Sequence, residues 1–239
     1  MTIKIINIAA FAVMVLMNYL ANALPLGGKT TGELSAQYPN LFVPAGITFS
    51  IWGVIYLLLL VFVLLQFRAE NRAVINAIGL LFAATCILNA LWIIAWHYEY
   101  LAVSLFIMLL LLSALVIINY RLTTSDSLVA RAAFGIYLGW ICIATIANVT
   151  ALLVAVNWQG WGISEEVWAV IMVLAGALVT ALIIRNYRNP FTGLAVIWAL
   201  TGIIIARWPG NKPILIVAGI SIIAVAIISI LVGFRKTQT

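Results

Sequence analysis

Eight stretches of the chain stay apolar for about twenty residues, the length a helix rising 1.5 Å per residue needs to cross the hydrocarbon core of a bilayer. They fall at about 3–25, 44–67, 72–97, 100–121, 130–157, 167–187, 190–208 and 212–234. A backbone in lipid must satisfy its own hydrogen bonds, which leaves helices or a closed barrel. These runs are too long for barrel strands and lack period-two alternation. The expected fold class is therefore an all-α integral membrane protein of eight transmembrane helices. Composition agrees: 66% of the 239 residues are hydrophobic and 8% charged, with mean hydropathy +1.23. That leaves too little polar surface to coat a water-soluble globule. Soluble enzymes, disordered chains and nucleic-acid binders are excluded, and the lipid bilayer is the first expected partner. The seventh run is short, and Pro190 suits the first turn of a new helix there.

Lys and Arg set the orientation. With the N-terminus inside, the cytoplasmic side carries Lys4, Arg68, Arg72, Arg121, Arg131, Arg185, Arg188, Arg235 and Lys236. The opposite side carries only Lys29, Arg207 and Lys212. Both termini are expected in the cytoplasm, with a bacterial inner membrane as the expected location. Ala21-Asn22-Ala23 ends the first run in a pattern like a signal-peptidase site. The run is longer than a signal core and has a single Lys before it, so it reads as a retained span whose Asn18, Tyr19 and Asn22 face the bundle.

No Asp, Glu, Lys, Arg or His lies near the middle of any run. Ion-coupled transporters, proton pumps and voltage sensors need such groups at depth, so proton-coupled transport is disfavoured. No lysine is placed to hold retinal. His97 ends the third run between Trp96 and Tyr98 and reads as an interfacial residue rather than a haem or metal ligand. Cys86 and Cys142 sit inside apolar runs as packing residues, without a disulfide or metal spacing. No covalent cofactor or metal is expected.

Aromatics and amides recur instead at helical spacing. Thr48, Trp52 and Tyr56 share one face of the second segment, Asn89, Trp92 and Trp96 one face of the third, and Tyr137, Trp140, Ala144 and Asn148 one face of the fifth. An Asn at membrane depth must find a partner, so Asn89 and Asn148 are expected to point inward and bring the Trp residues with them. Three stripes could line one aromatic cavity. The competing reading makes the amides helix glue and the indoles space-filling.

Tyr38–Leu57, YPNLFVPAGITFSIWGVIYL, resembles the Pro-rich approach to the second helix of the tryptophan-rich sensory protein family (TspO, the translocator protein or peripheral benzodiazepine receptor family). Leu88-Asn89-Ala90-Leu91-Trp92 is similar to that family's LNFLW motif. Tyr137-Leu138-Gly139-Trp140, followed by Ala144 and Asn148, is similar to its YLLWxxxAxxxN pattern. The resemblance covers residues 1–158 and implies a five-helix ligand-binding bundle, with 159–239 a three-helix membrane extension. Family members bind porphyrins and related tetrapyrroles, and some bind sterols or synthetic ligands. What the resemblance implies is a membrane receptor or sensor for a flat hydrophobic ligand, a tetrapyrrole for instance, with a homodimer as a further partner it allows. Its pocket residues would be Trp52, Asn89, Trp92, Tyr137, Trp140, Ala144 and Asn148, with Tyr56 added from the second stripe. The loop 26–43 would be the lid, with Lys29, Tyr38 and adjoining Pro44 as its candidate residues.

The chain departs from the family pattern in several places. The double Pro is reduced to Pro44 after Val43, Gly46 stands where a Trp is usual, and Phe49 and Ile136 replace two prolines. The last three segments carry Ala175-Gly176-Ala177, Gly202 and Ala218-Gly219, small residues that permit close helix approach. Their expected role is a packing annex or a cover for the shorter family's dimer surface. The alternative function is a transporter or exporter of small hydrophobic metabolites. An enzyme has little to work with beyond redox-capable Trp and Tyr.

Overall fold

The structure, a computed structural model, describes residues 1–23 and 26–236. The last two residues of the first expected span, and the side chains of Arg235 and Lys236, lie outside the described set. Among the described residues ten α-helices form: α1 (Thr2–Ala23), α2 (Thr31–Ala36), α3 (Ile51–Leu65), α4 (Arg72–Ile78), α5 (Leu81–His97), α6 (Leu101–Arg121), α7 (Leu128–Ala155), α8 (Glu165–Tyr187), α9 (Phe191–Arg207) and α10 (Lys212–Lys236). Among the described residues, six helical stretches are long and apolar enough to cross a membrane: α1, the turn and helix Gly46–Leu65, α6, α7, α8 and α10.

The third expected run differs from its sequence reading. Helices α4 and α5 meet at an angle of 61° and count together as a seventh crossing only if the broken pair forms one span. The break lies at Gly79, whose φ of 58° and ψ of −133° only glycine adopts at little cost. Hydropathy does not register a single dihedral, so the sequence shows an unbroken run. The seventh expected run forms α9, but its 17 residues make it shorter than the other spans. Helix α8 ends on Arg188 in the left-handed region, and Pro190 immediately precedes α9.

Helix α7 is the hub, packing against α3, α6, α8 and α9. Its contact with α9 is close because Gly135 and Gly139 are four residues apart on one face. A Cβ at Gly139 would lie 2.2 Å from the Thr192 carbonyl oxygen, and one at Gly135 would lie 2.6 Å from the Asn189 amide nitrogen. Into the space at Gly135 fits a polar knot: Asn189 Nδ2 donates to Asn119 Oδ1 and to the Arg131 carbonyl, each at 2.9 Å. Arg131 in turn donates to the Arg188 carbonyl. Helix α9 is therefore built into the bundle, with Val196, Ala199, Leu200 and Ile203 fully buried.

Candidate functional site

Trp52 forms the centre of an aromatic cluster made by α3, α5 and α7. Its ring centroid lies 5.6 Å from Tyr56, 5.8 Å from Trp92, 6.0 Å from Tyr137 and 6.0 Å from Trp140. Trp96 stacks one helical turn above Trp92 at 6.1 Å, and Phe49 meets Trp140 edge-on at 5.9 Å. The three sequence stripes thus meet, and between them lies a cavity of about 40 Å³. Trp52, Trp92, Trp96, Trp140, Ala144 and Asn148 line it, with Phe49, Ile143 and Ala147 completing the wall. Thr31, Ser35 and Pro44 close it from the loop side.

Four polar side-chain atoms of the lining residues are without a hydrogen-bond partner among the described residues. The indole nitrogens of Trp92, Trp96 and Trp140 make no hydrogen bond, nor does the Thr31 hydroxyl, although each side chain is at most 4% exposed. A buried, unpaired polar group costs roughly 1–3 kcal/mol, so three indole N–H groups around one void mark a place where acceptors are expected. The lining residues carry no charge. A volume of 40 Å³ holds a few water molecules at most, against the roughly 300–1,000 Å³ of drug-sized sites. The chamber is therefore too small, as it stands, for a planar ligand.

Amide side chains tie the helices around the chamber together. Asn18 Nδ2 donates to Asn89 Oδ1 at 2.7 Å, and Asn89 Nδ2 donates to Tyr137 Oη at 3.0 Å, tying α1, α5 and α7 together. The Ser104 hydroxyl donates to Asn148 Oδ1 at 3.0 Å, bringing in α6. Asn89 and Tyr137 are buried and Tyr56 is half-buried beside the cavity, none of them lining it. Their observed contacts are with walls rather than with the void.

The loop 26–43 is more ordered than its glycines suggest. It contains α2, started by a reciprocal cap in which the Thr30 hydroxyl accepts from the Glu33 amide while the Glu33 carboxylate accepts from the Thr30 amide. These bonds hold the Glu33 carboxyl below its ordinary range. Leu34 and Phe42 are buried anchors. Lys29 and Tyr38 both meet Glu99, two residues past the end of α5: the phenol donates at 2.8 Å and the ammonium lies at 3.5 Å. Lys29 Nζ also donates to Gln37 at 2.8 Å. Burial first, then the Glu99 carboxylate, pushes the Tyr38 phenol up to about 12.

Sequence reasoning missed Thr31, Ser35, Phe49, Ile143 and Ala147. Ile143 and Ala147 lie three and seven residues beyond Trp140, so the α7 stripe itself pointed to them. Phe49 appeared only as a departure from the family pattern. Thr31 and Ser35 lie on a loop, and no periodicity shows where a loop docks. One stripe member belongs elsewhere. Thr48 sits in the 3-10 turn Gly46–Ser50, where each residue advances about 20° further than in an α-helix. It thereby faces α9: its carbonyl accepts from Trp198 Nε1 at 2.8 Å, and Gly202 packs on its side chain.

Among the described residues no group of His, Cys, Asp or Glu could hold a metal ion. His97 is buried, with Nδ1 2.8 Å from the Ile93 carbonyl. A family model described as TSPO-like protein matches residues 4–232. The match continues past residue 158 through α8 and α9 and into α10. No curated protein and no solved structure matches the chain.

Proposed function

The chain belongs to the TSPO-like protein family, and from that premise we propose that it is a multi-pass membrane receptor or sensor binding a flat hydrophobic ligand, such as a porphyrin, in the aromatic chamber. The observation that carries this reading is the set of three unpartnered, buried indole N–H groups around one void beneath a separately capped loop helix. Apolar burial and stacking on Trp52, Trp92 and Trp140 would supply affinity, while the indole donors and Asn148 would orient acceptor atoms on the ligand. Release of Tyr38 and Lys29 from Glu99 would let α2 lift away, making the loop a lid. A ligand carboxylate would have to stay near Lys29, since no cation lines the chamber and a bare anion at membrane depth is costly.

All eight apolar runs cross the membrane in this reading, with both termini in the cytoplasm of a bacterial cell and α8–α10 forming the annex to a five-helix bundle. The test is a titration of tryptophan fluorescence with protoporphyrin IX, corrected for inner-filter effects, beside the variant Trp140→Ala. Saturable quenching that weakens in the variant supports the site. Identical, non-saturating quenching in both proteins refutes it.

A further inference from the structure

We propose that a second cavity, between loop residues 40–42, the outer end of α7 and the first turns of α8, is a binding site for a lipophilic monocation: an ammonium or phosphonium ion carrying apolar groups. This cavity has a volume of about 360 Å³, nine times that of the aromatic chamber, and falls within the range of small-molecule sites. Its floor is apolar, built from Phe42, Leu153, Val154 and Met172. Two indoles, Trp158 and Trp168, stand in its wall, and Glu165 lies at its edge. No Lys, Arg or His is among the lining residues.

Charge and ring placement select the ligand class. Glu165 and Glu166 occupy the first turn of α8. Of the two, Glu165 lines the cavity; its full charge outweighs the roughly half-unit positive charge of a helix N-terminus, and no Lys, Arg or His lines the cavity beside it, so the lining is net negative. Neither takes part in an ion pair among the described residues. The indoles are held before any ligand arrives: Trp158 and Trp168 pack edge-on at 5.1 Å, and Trp168 Nε1 donates to the Gly160 carbonyl at 3.0 Å. An indole fixed beside a carboxylate favours a cation, and an apolar floor favours one whose charge is shrouded in hydrocarbon.

The connecting turn adds an independent sign. Trp161 sits at φ 53° between Gly160 at 65° and Gly162 at 78°, a left-handed backbone that a bulky aromatic adopts only at a cost. It is 80% exposed, so burial does not explain its position, yet its ring touches Trp158 at 5.4 Å and Trp168 at 6.1 Å. A membrane-interface belt explains exposed indoles. It does not call for a drug-sized cavity with a single carboxylate behind them.

The test uses the full chain in uncharged maltoside micelles, with tritiated tetraphenylphosphonium as the probe and tetraphenylborate as a counter-probe of the same shape and opposite charge. Binding to protein-free micelles is subtracted. The expected result is saturable phosphonium binding that tetraphenylborate does not share. Glu165→Gln should weaken it about three- to tenfold, and Ala169→Leu, which narrows the cavity without changing charge, should abolish it. Glu165 is exposed, so its variant keeps the test decisive even if Ala169→Leu folds poorly. Non-saturable uptake, the signature of an interfacial belt alone, overturns the proposal. So does equal binding of the two probes, or unchanged phosphonium affinity in Glu165→Gln.

Discussion

Replacing Gly139 by alanine tests whether α9 is structural to the bundle. The added Cβ would stand 2.2 Å from the Thr192 carbonyl oxygen and 3.1 Å from the Ala195 Cβ. Carbon and carbonyl oxygen rest at about 3.3 Å or more, so the two backbones must part by about 1 Å. The neighbouring bonds from Asn189 Nδ2 to Asn119 Oδ1 and to the Arg131 carbonyl, now 2.9 Å each, would stretch beyond hydrogen-bond range. Overpacking costs about 1–3 kcal/mol, and a hydrogen bond between membrane helices averages about 0.6 kcal/mol. The expected loss is about 3 kcal/mol, roughly a hundredfold in the unfolding equilibrium. Reversible unfolding in mixed micelles, titrated with dodecyl sulfate, measures it. Gly53→Ala is the control, because nothing lies within 4 Å of its added Cβ, and a helical Gly→Ala change there should be neutral or slightly stabilising. If Gly139→Ala proves as stable as Gly53→Ala, close packing of α7 on α9 is not what holds the last helices in place.

Tyr38→Phe removes the 2.8 Å bond to Glu99 and should speed amide exchange over residues 30–43 about threefold to tenfold, while exchange in α7 stays unchanged. The same bond predicts an alkaline transition. The phenol is pushed from 10 up to about 12 in the closed loop, so closure favours the protonated form; its contribution is complete below pH 10 and fades as pH rises towards 12. Exchange measured across that window should accelerate in the wild type and show no such step in Tyr38→Phe. At the acid end the sign reverses. Glu33 is held below its ordinary 4.5 by its bonds from Thr30, so the cap on α2 is fully present above that value and is lost as pH falls through the lowered one. Thr30→Ala should remove most of the acid-dependent step in α2 exchange.

Helix class and the inward amides were legible because both follow from the cost of polar groups in hydrocarbon. Asn89 and Asn148 are buried with partners on other helices; of Asn18, Tyr19 and Asn22, all read as facing the bundle, Asn18 is the partner of Asn89, whereas Tyr19 and Asn22 are exposed. The indole stripes were legible because α5 and α7 keep a 3.6-residue period through them. The period fails at two places, the break at Gly79 and the 3-10 turn holding Thr48, and there the sequence reading of span and face fails with it. Gly135 and Gly139 lie in and beside the YLGW motif, whose aromatics drew the reading, while their packing role depends on a partner helix fifty residues away. The underside of the loop, Thr31 and Ser35, was not legible because tertiary docking alone places it.

Whether the buried indole donors receive a ligand is tested most directly by the side-chain N–H signals of the nine tryptophans in the ¹⁵N-labelled protein, assigned through single Trp→Phe variants and followed as protoporphyrin IX is added. The chamber reading predicts that the signals of Trp92, Trp96 and Trp140 shift together and saturate at one ligand per chain, while those of Trp158, Trp161 and Trp168 stay where they are. Saturating porphyrin binding that leaves the three chamber signals unmoved would contradict it.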